Sequence, residues 1–129
     1  MKKYKLTSPG LVPGLNEYIN VERTYKGKYK AASMKRQVQH MIGYMIKIQL
    51  KNIRFTNPVW MHYIWVEPNR RRDKDNIAFA KKFIQDALVE AGVIRNDGWS
   101  EIEGFSDDFV LDPKNPRVEV TIEECKRGK

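Results

Sequence analysis

Cysteine and histidine are scarce in this chain, whose 129 residues include one cysteine, Cys125, and two histidines, His40 and His62. A single cysteine cannot form an internal disulfide, and the scarcity of both residue types argues against a zinc site. The sequence also lacks a phosphate-cradling glycine loop and any evident Ser-His-Asp or Cys-His arrangement. We therefore expect Cys125 to be an incidental reduced thiol and His40 to serve packing rather than catalysis.

Long apolar segments are absent as well. No run in the sequence approaches the roughly 20 apolar residues that span a bilayer. The lysine-rich start at residues 1–5 leads into no hydrophobic signal segment. We expect a cytoplasmic protein without a membrane segment, and the length predicts one domain over residues 1–129.

Positive charge is abundant and unevenly distributed. The net charge is +8, with 18 Lys and Arg against 5 Asp and Glu in residues 1–82, and 6 against 11 in residues 83–129. A polyanionic partner is therefore plausible, and the basic half would supply any nucleic-acid surface. The alternative is a solvated surface with a chance excess of lysine.

The hydrophobic pattern predicts two principal helices and four strands. An amphipathic helix is expected over residues 31–50, with apolar positions that run from Met34 to Ile48, and a second helix over 76–91 ends at Gly92. Strands are expected at residues 3–7, 59–66, 101–111 and 117–122. The strand at 59–66 is apolar on both sides and should be central, and the last two should form an antiparallel hairpin.

The expected order of elements is β-α-β-α-β-β. Strand–helix–strand steps favour right-handed crossovers with parallel neighbours. The sequence therefore predicts an α/β (α+β) protein with a mixed β-sheet and two principal helices.

A basic run that turns into a pair of acids lies where the second helix begins, in the order Arg70, Arg71, Arg72, Asp73, Lys74, Asp75, Asn76. Carboxylate oxygens hold Mg²⁺ or Mn²⁺, and cations hold phosphate. A third acid, Asp97, follows the end of the same helix. Three acids from two neighbouring loops would suit a metal-dependent enzyme that cuts phosphodiesters.

The acidic pair could also have a purely structural role. Asp75 could be the helix N-cap, with its side chain accepting hydrogen bonds from backbone N–H groups of the first turn. Asp73 could then be only a favourable negative charge near the helix start. In that case the protein would bind DNA without cleaving it.

A second basic segment mixes cations with aromatics between residues 18 and 30. Its cations are candidate DNA contacts: Arg23, Lys26, Lys28 and Lys30. Tyr18, Tyr25 and Tyr29 could stack on bases. The tyrosines could equally pin the segment to the core while their hydroxyls stay wet.

Lys82 and Asp86 share a face of the second predicted helix with Asp75, because offsets of 7 and 11 residues return to nearly the same angle. Lys82 could supply positive charge to the phosphate or leaving group, or form only a solvated i,i+4 pair with Asp86. Lys81 points about 100° away, so its replacement should have little effect.

Three motifs together resemble the RusA-type Holliday-junction resolvases of phages and prophages. They are Arg71 to Asn76, Asp86-Ala87-Leu88 and Asn96-Asp97, and the resemblance covers residues 58–124 closely and the N-terminal third loosely, through an initial strand and a basic, aromatic loop. It implies a homodimeric, Mg²⁺- or Mn²⁺-dependent endonuclease that cuts four-way DNA junctions, with catalytic carboxylates at Asp73, Asp75 and Asp97.

Two positions depart from the family pattern. Phe79 stands where the family commonly has a lysine, so the match to Asp86-Ala87-Leu88 puts Lys82 in the lysine's place after three extra residues. Asn96 stands where many members have another Asp. A branched-DNA, flap or RNA nuclease that uses the same carboxylates therefore stays an alternative.

Overall fold

The computed structural model describes residues 2–23 and 27–126. Its elements in chain order are β1 (Lys3–Pro9), α1 (Leu15–Glu22), α2 (Gly27–Gln49), β2 (Val59–Glu67), α3 (Lys74–Ala78), α4 (Lys81–Glu90), β3 (Ile102–Leu111) and β4 (Arg117–Glu124). The predicted α+β class with a mixed four-stranded sheet is confirmed.

The strands are arranged in the order β1-β4-β2-β3. β2 pairs in parallel with β3 and antiparallel with β4, and β4 pairs antiparallel with β1. The central position predicted for β2 is confirmed. The predicted β3–β4 hairpin is wrong, because β2 lies between these strands, and the link between them crosses the end of β2, where the Asp112 N–H donates to the Glu67 carbonyl over 2.9 Å.

The core lies between the sheet and the helices. From β2, the alternate residues Met61, Tyr63 and Trp65 are buried, as strand geometry requires. α2 contributes Ile42 and Ile46, each worth about 1.5–3 kcal/mol when fully buried. Ile48, which the sequence pattern assigned to this stripe, is instead half exposed.

The second predicted helix is divided in two. α3 ends at Ala78, and i→i+3 hydrogen bonds follow, from Lys82 N–H to the Phe79 carbonyl (3.1 Å) and from Phe83 N–H to the Ala80 carbonyl (3.0 Å). The prediction of one continuous helix over 76–91 is therefore wrong. The Phe79 ring packs edge-on against Phe83 at 5.8 Å, so this break directs an extra aromatic toward the core. The predicted αL cap is confirmed, since Gly92 has φ 78°.

α1 was not predicted. It follows Gly14, whose N–H donates to the Glu17 carboxylate over 3.2 Å. Gly14 also lies directly against α3, because a Cβ there would come within 2.5 Å of the Asn76 carbonyl oxygen. Only glycine permits this approach, which brings the start of α1 beside the start of α3.

Candidate active site

Asp73 is the N-cap residue of α3, six residues beyond the end of β2. Its backbone is extended, but its side chain makes no capping hydrogen bond to the helix. The interpretation of Asp75 as the N-cap is therefore wrong. The carboxylate of Asp73 is exposed and is not used in holding the first turn.

Asp75 lies in the first turn of α3 and is also exposed. Its Oδ1 accepts a hydrogen bond from the Asn76 N–H over 2.9 Å. Asp73 and Asp75 thus present carboxylate oxygens to solvent from one turn, close to the end of a central strand. Ligands commonly bind at such strand ends in open α/β sheets.

A partly buried ion-pair network, with Glu67 buried and Glu17 42% exposed, adjoins this turn. Arg72 donates to Glu67 through Nη2 (2.7 Å) and Nε (3.1 Å), and to Glu17 through Nη1 (2.8 Å). Burial opposes the charged form of Arg72, but hydrogen bonds with Glu67 and Glu17 outweigh it and raise the pKa of the guanidinium. Arg72 is thus engaged within the chain, whereas Arg70 and Arg71 are exposed.

Asn76 joins the same network to α1. Its Oδ1 accepts a hydrogen bond from the Asn16 N–H over 2.6 Å, and its Nδ2 donates to Glu17 over 3.4 Å. Sequence reasoning did not assign Glu17, Glu67 or Asn76 to the site. The available signal was Glu67, a carboxylate that ends an otherwise apolar central strand and needs a buried partner.

Lys82 and Asp97, both predicted site residues, are brought together. Lys82 Nζ lies 3.2 Å from Asp97 Oδ2 and 3.1 Å from Asp86 Oδ1. Hydrogen bonds with Asp86 and Asp97 raise the pKa of the Lys82 ammonium, so it stays charged at neutral pH. Lys82 therefore links the Asp97 carboxylate to α4 at the surface.

The three candidate carboxylates do not gather into one cluster. Within residues 2–23 and 27–126, no group of three or more His, Cys, Asp or Glu side chains could hold a metal ion. Mg²⁺ in phosphoryl-transfer sites usually takes one or two carboxylates together with substrate phosphates and water. The exposed carboxylates of Asp73 and Asp75 are the type of ligand that such a site uses. A role for Asp97 in metal binding stays a prediction.

Lys81 differs from its neighbour. Its Nζ lies 2.6 Å from Asp107 Oδ2 and 3.8 Å from the centroid of the Phe105 ring, and its side chain is 13% exposed. Trp65 Nε1 donates to the other oxygen of Asp107 over 2.8 Å. The expectation that Lys81 is a dispensable surface residue is therefore at odds with its place in the structure.

The basic, aromatic segment is only partly described. Tyr18 packs on Phe79 and Phe83, with ring centroids 6.1 and 6.2 Å apart, which favours its core-pinning reading. Tyr29 is 80% exposed. Among the predicted DNA contacts, Arg23, Lys30 and Lys74 are exposed, while Lys26, like Tyr25, and the side chain of Lys28 lie outside the described residues.

A Ser-His-Asp arrangement is present after all, on the sheet face opposite the core. His62 Nδ1 is within hydrogen-bonding distance of Ser106 Oγ, and His62 Nε2 lies 3.0 Å from Asp108. The expectation that the chain has no such arrangement is therefore wrong. The Asp108 side chain is 68% exposed, unlike the buried carboxylate that orients a catalytic histidine. We therefore interpret these three residues as a polar cluster on the surface of the sheet.

The fold agrees with the comparison with known families. The family model described as Endodeoxyribonuclease RusA matches residues 16–123. The chain belongs to the RusA endodeoxyribonuclease family. Membership of this family supports activity as a Holliday-junction endonuclease. The resemblance seen over residues 58–124 is thus confirmed and reaches α1. No curated protein matches the chain. In the described residues, no helix is long and apolar enough to span a membrane.

Proposed function

We propose that this protein is a single-domain, metal-dependent endodeoxyribonuclease that resolves four-way DNA junctions by phosphodiester hydrolysis. The main support for this proposal is the turn after β2, where Asp73 and Asp75 are exposed and the Asp73 side chain makes no capping hydrogen bond to the helix. Family membership supports the same chemistry and the DNA substrate.

Asp73 and Asp75 would hold Mg²⁺ or Mn²⁺, which would supply an activated water and stabilise the leaving oxygen. Arg70, Arg71 and Lys74 are exposed beside the acids and would orient the scissile phosphate. The partly buried network of Arg72, in contrast, keeps the turn in place.

Lys82 has a different role in the proposal. Because its raised pKa keeps it protonated at neutral pH, it supplies charge rather than acting as a base. It contacts both Asp97 and Asp86, so a phosphate that approaches Asp97 would meet a cation at the same place. This supports the assignment of the family lysine to Lys82 and keeps Asp97 as the third carboxylate.

The protein would act as a homodimer. A four-way junction offers two equivalent strands, and a C₂ dimer with two sites matches that symmetry. Sedimentation velocity, with and without junction, tests this directly. A mass of one chain, 15.2 kDa, in both states would contradict the dimer.

Cleavage specificity is tested by incubating the protein with a labelled four-way junction, linear duplex, flap and RNA duplex, each with EDTA, Mg²⁺ or Mn²⁺. We expect paired, symmetric nicks in the junction only when metal is present. Preferential cutting of the flap or RNA would favour the alternative nuclease activities with the same carboxylates. Metal-independent binding that leaves every substrate intact would indicate a non-catalytic DNA-binding protein.

A further inference from the structure

Trp99 is the most exposed large apolar side chain in the described residues. Its accessibility is 101%, against 41% for Trp60 and 2% for Trp65. Trp99 lies in the loop between α4 and β3, two residues after Asp97. A tryptophan normally stabilises a protein by burying its large ring. A fully exposed ring next to a candidate site is therefore a candidate contact for a ligand.

The loop that carries Trp99 is anchored at both ends. Val93 and Ile94 are buried where it leaves α4, and the Val59 N–H donates to the Glu101 carbonyl over 2.9 Å where it meets the sheet. Between them, the Gly98 carbonyl accepts hydrogen bonds from the N–H groups of Glu101 (3.2 Å) and Ile102 (3.0 Å). Trp99 therefore stands at the corner of a closed turn on fixed supports.

The surroundings of the ring suit a nucleic acid. Arg95, earlier in the same loop, is 85% exposed and contacts Glu101 only at 3.7 Å. Residues 83–129 carry 6 Lys and Arg against 11 Asp and Glu, so a phosphate contact at this loop depends on Arg95. An exposed aromatic ring and an exposed cation in the same loop suit single-stranded or unstacked bases, because the ring can stack on the base while the cation binds the phosphate.

We propose that Trp99 is a base-binding residue that stacks on a nucleobase left without a stacking neighbour at a DNA branch point. Two residues of extended chain reach at most about 7 Å, so such a base would lie close to any phosphate positioned at Asp97. The inference rests on the proposed function, because it assigns Trp99 to the recognition of the same branched substrate.

The other candidate occupant is a second protein surface, and the observations disfavour it. The core of a stable interface is a contiguous patch with few charges. Trp99 instead shares its loop with charged and polar residues, since Arg95 and Asp97 precede it and the exposed Ser100 follows it. A single ring among polar residues offers little apolar area to a protein but a complete face to a base.

The test uses Trp99→Leu, which keeps an apolar side chain without the ring, Trp99→Phe, which keeps a smaller ring, and Trp60→Phe as a matched tryptophan control. Binding is measured in EDTA against a four-way junction and a linear duplex of the same sequence. We expect Trp99→Leu to weaken junction binding about 5- to 150-fold, the usual range for one lost base stack, with a much smaller change for duplex. Trp99→Phe should restore most of the affinity.

Two fluorescence readouts report stacking itself. In the Trp60→Phe protein, the part of the emission that is lost on adding Trp99→Leu should be quenched more strongly by junction than by duplex, because Trp65 also emits. The fluorescence of 2-aminopurine at the branch should dim on binding only when the ring of Trp99 is present. Equal junction affinity for wild type and Trp99→Leu, or quenching by duplex alone, would overturn the inference. So would a change in sedimentation of Trp99→Leu, which would make the ring an interface residue.

The inference and the proposed function fail separately. If the wild type cleaves junctions in Mg²⁺ while Trp99 shows no quenching, only the base-binding inference is overturned. If the wild type cleaves no DNA but branched DNA still quenches Trp99 and discriminates against the Leu variant, base binding is supported and the nuclease proposal is lost.

Discussion

The two segments that carry the candidate carboxylates are held in different ways. The turn with Asp73 and Asp75 rests on Arg72, whose side chain is 16% exposed and bridges Glu67 and Glu17. The loop with Asp97 is fixed at its ends by buried Val93 and Ile94 and by backbone hydrogen bonds, but the Asp97 carboxylate itself contacts Lys82, whose side chain is 59% exposed. The side-chain contacts of the first segment therefore lie in the core, and those of Asp97 lie at the surface.

This difference has an energetic meaning. Removing one partner of a buried ion pair leaves an uncompensated charge and typically costs about 3–5 kcal/mol. Exposed pairs contribute at most about 1 kcal/mol, and often nothing measurable. The Asp73–Asp75 turn is thus preorganised before substrate binds, whereas the Lys82–Asp97 contact is easily exchanged for a phosphate or another ligand.

The largest expected effect comes from removing the carboxylates themselves. Asp73→Asn, Asp75→Asn and Asp97→Asn should each lower junction cleavage at least about 1,000-fold, since a metal contributes several kcal/mol of transition-state stabilisation. Junction binding in EDTA should survive or tighten, because negative charge near phosphate is lost. Single-turnover cleavage and gel-shift titration measure the two quantities.

Asp108→Asn is the matched control for these variants, since Asp108 is an exposed strand acid on the opposite face of the sheet. It should cleave at the wild-type rate. If Asp97→Asn alone retained cleavage, Asp97 would not belong to the metal site, which would then consist of the Asp73–Asp75 turn.

The neighbouring arginines separate core support from DNA contact. Arg72→Ala should lower the free energy of unfolding by about 3 kcal/mol or more, because it leaves buried Glu67 without its cation. Arg71→Ala should leave stability nearly unchanged and instead lower the slope of log binding constant against log salt by about one. Arg70→Ala should behave like Arg71→Ala.

Urea denaturation gives the stabilities, and junction titrations from low to moderate salt give the slopes. An Arg72→Ala protein as stable as the wild type would contradict the view that the acidic turn is fixed by the core. An unchanged salt slope for both exposed variants would remove Arg70 and Arg71 from the DNA surface.

Sequence reasoning found the parts of this site that are local in the chain. The acidic pair, the central strand before it and the Gly92 cap each follow from neighbouring residues. The contact of Arg72 with Glu17 joins positions 55 residues apart, and Glu17 lies on α1, a helix that the sequence pattern did not predict. The break after Ala78 depends on where the Phe79 ring packs, and the insertion of β4 beside β2 depends on competition between strands. None of these is encoded in local periodicity.

The consecutive lysines test the weaker half of the site. Lys82→Ala should lower the cleavage rate about 100-fold while junction affinity falls much less, as expected for charge supplied mainly in the transition state. Lys81→Ala is not a suitable control, since Lys81 is partly enclosed by Asp107 and Phe105 and its loss should destabilise the fold. Lys35→Ala is the matched control, because Lys35 also contacts Asp86, at 3.5 Å, from α2.

Lys35→Ala should cleave junctions within about twofold of the wild type, because the effect of Lys82 is assigned to Asp97 and phosphate rather than to Asp86. Equal losses in both variants would mean that the lysines act only by neutralising Asp86. A silent Lys82→Ala would show that Lys82 forms a solvated surface pair and has no part in cleavage.

The smallest expected effect is the acid sensitivity of the network beside the turn. Burial favours the neutral form of Glu17, but hydrogen bonds from Arg72 and the Gly14 N–H outweigh it and lower the pKa below its ordinary 4.5. The unfolded chain therefore binds a proton at Glu17 more readily than the native protein does. The stabilising contribution is complete above the unfolded value and is lost as pH falls through the native one.

Unfolding free energies of wild type and Glu17→Gln should consequently converge as the pH falls from about 6 to about 3, because the variant has no carboxylate to protonate there. Glu22→Gln, at the other end of α1, removes the same formal charge away from Arg72 and should run parallel to the wild type over this range. Parallel curves for Glu17→Gln would show that Glu67 alone neutralises Arg72. The ionic support of the acidic turn would then come from β2 and not from α1, while the Asn16–Asn76 hydrogen bond and the packing of Tyr18 on Phe79 would still join the two helices.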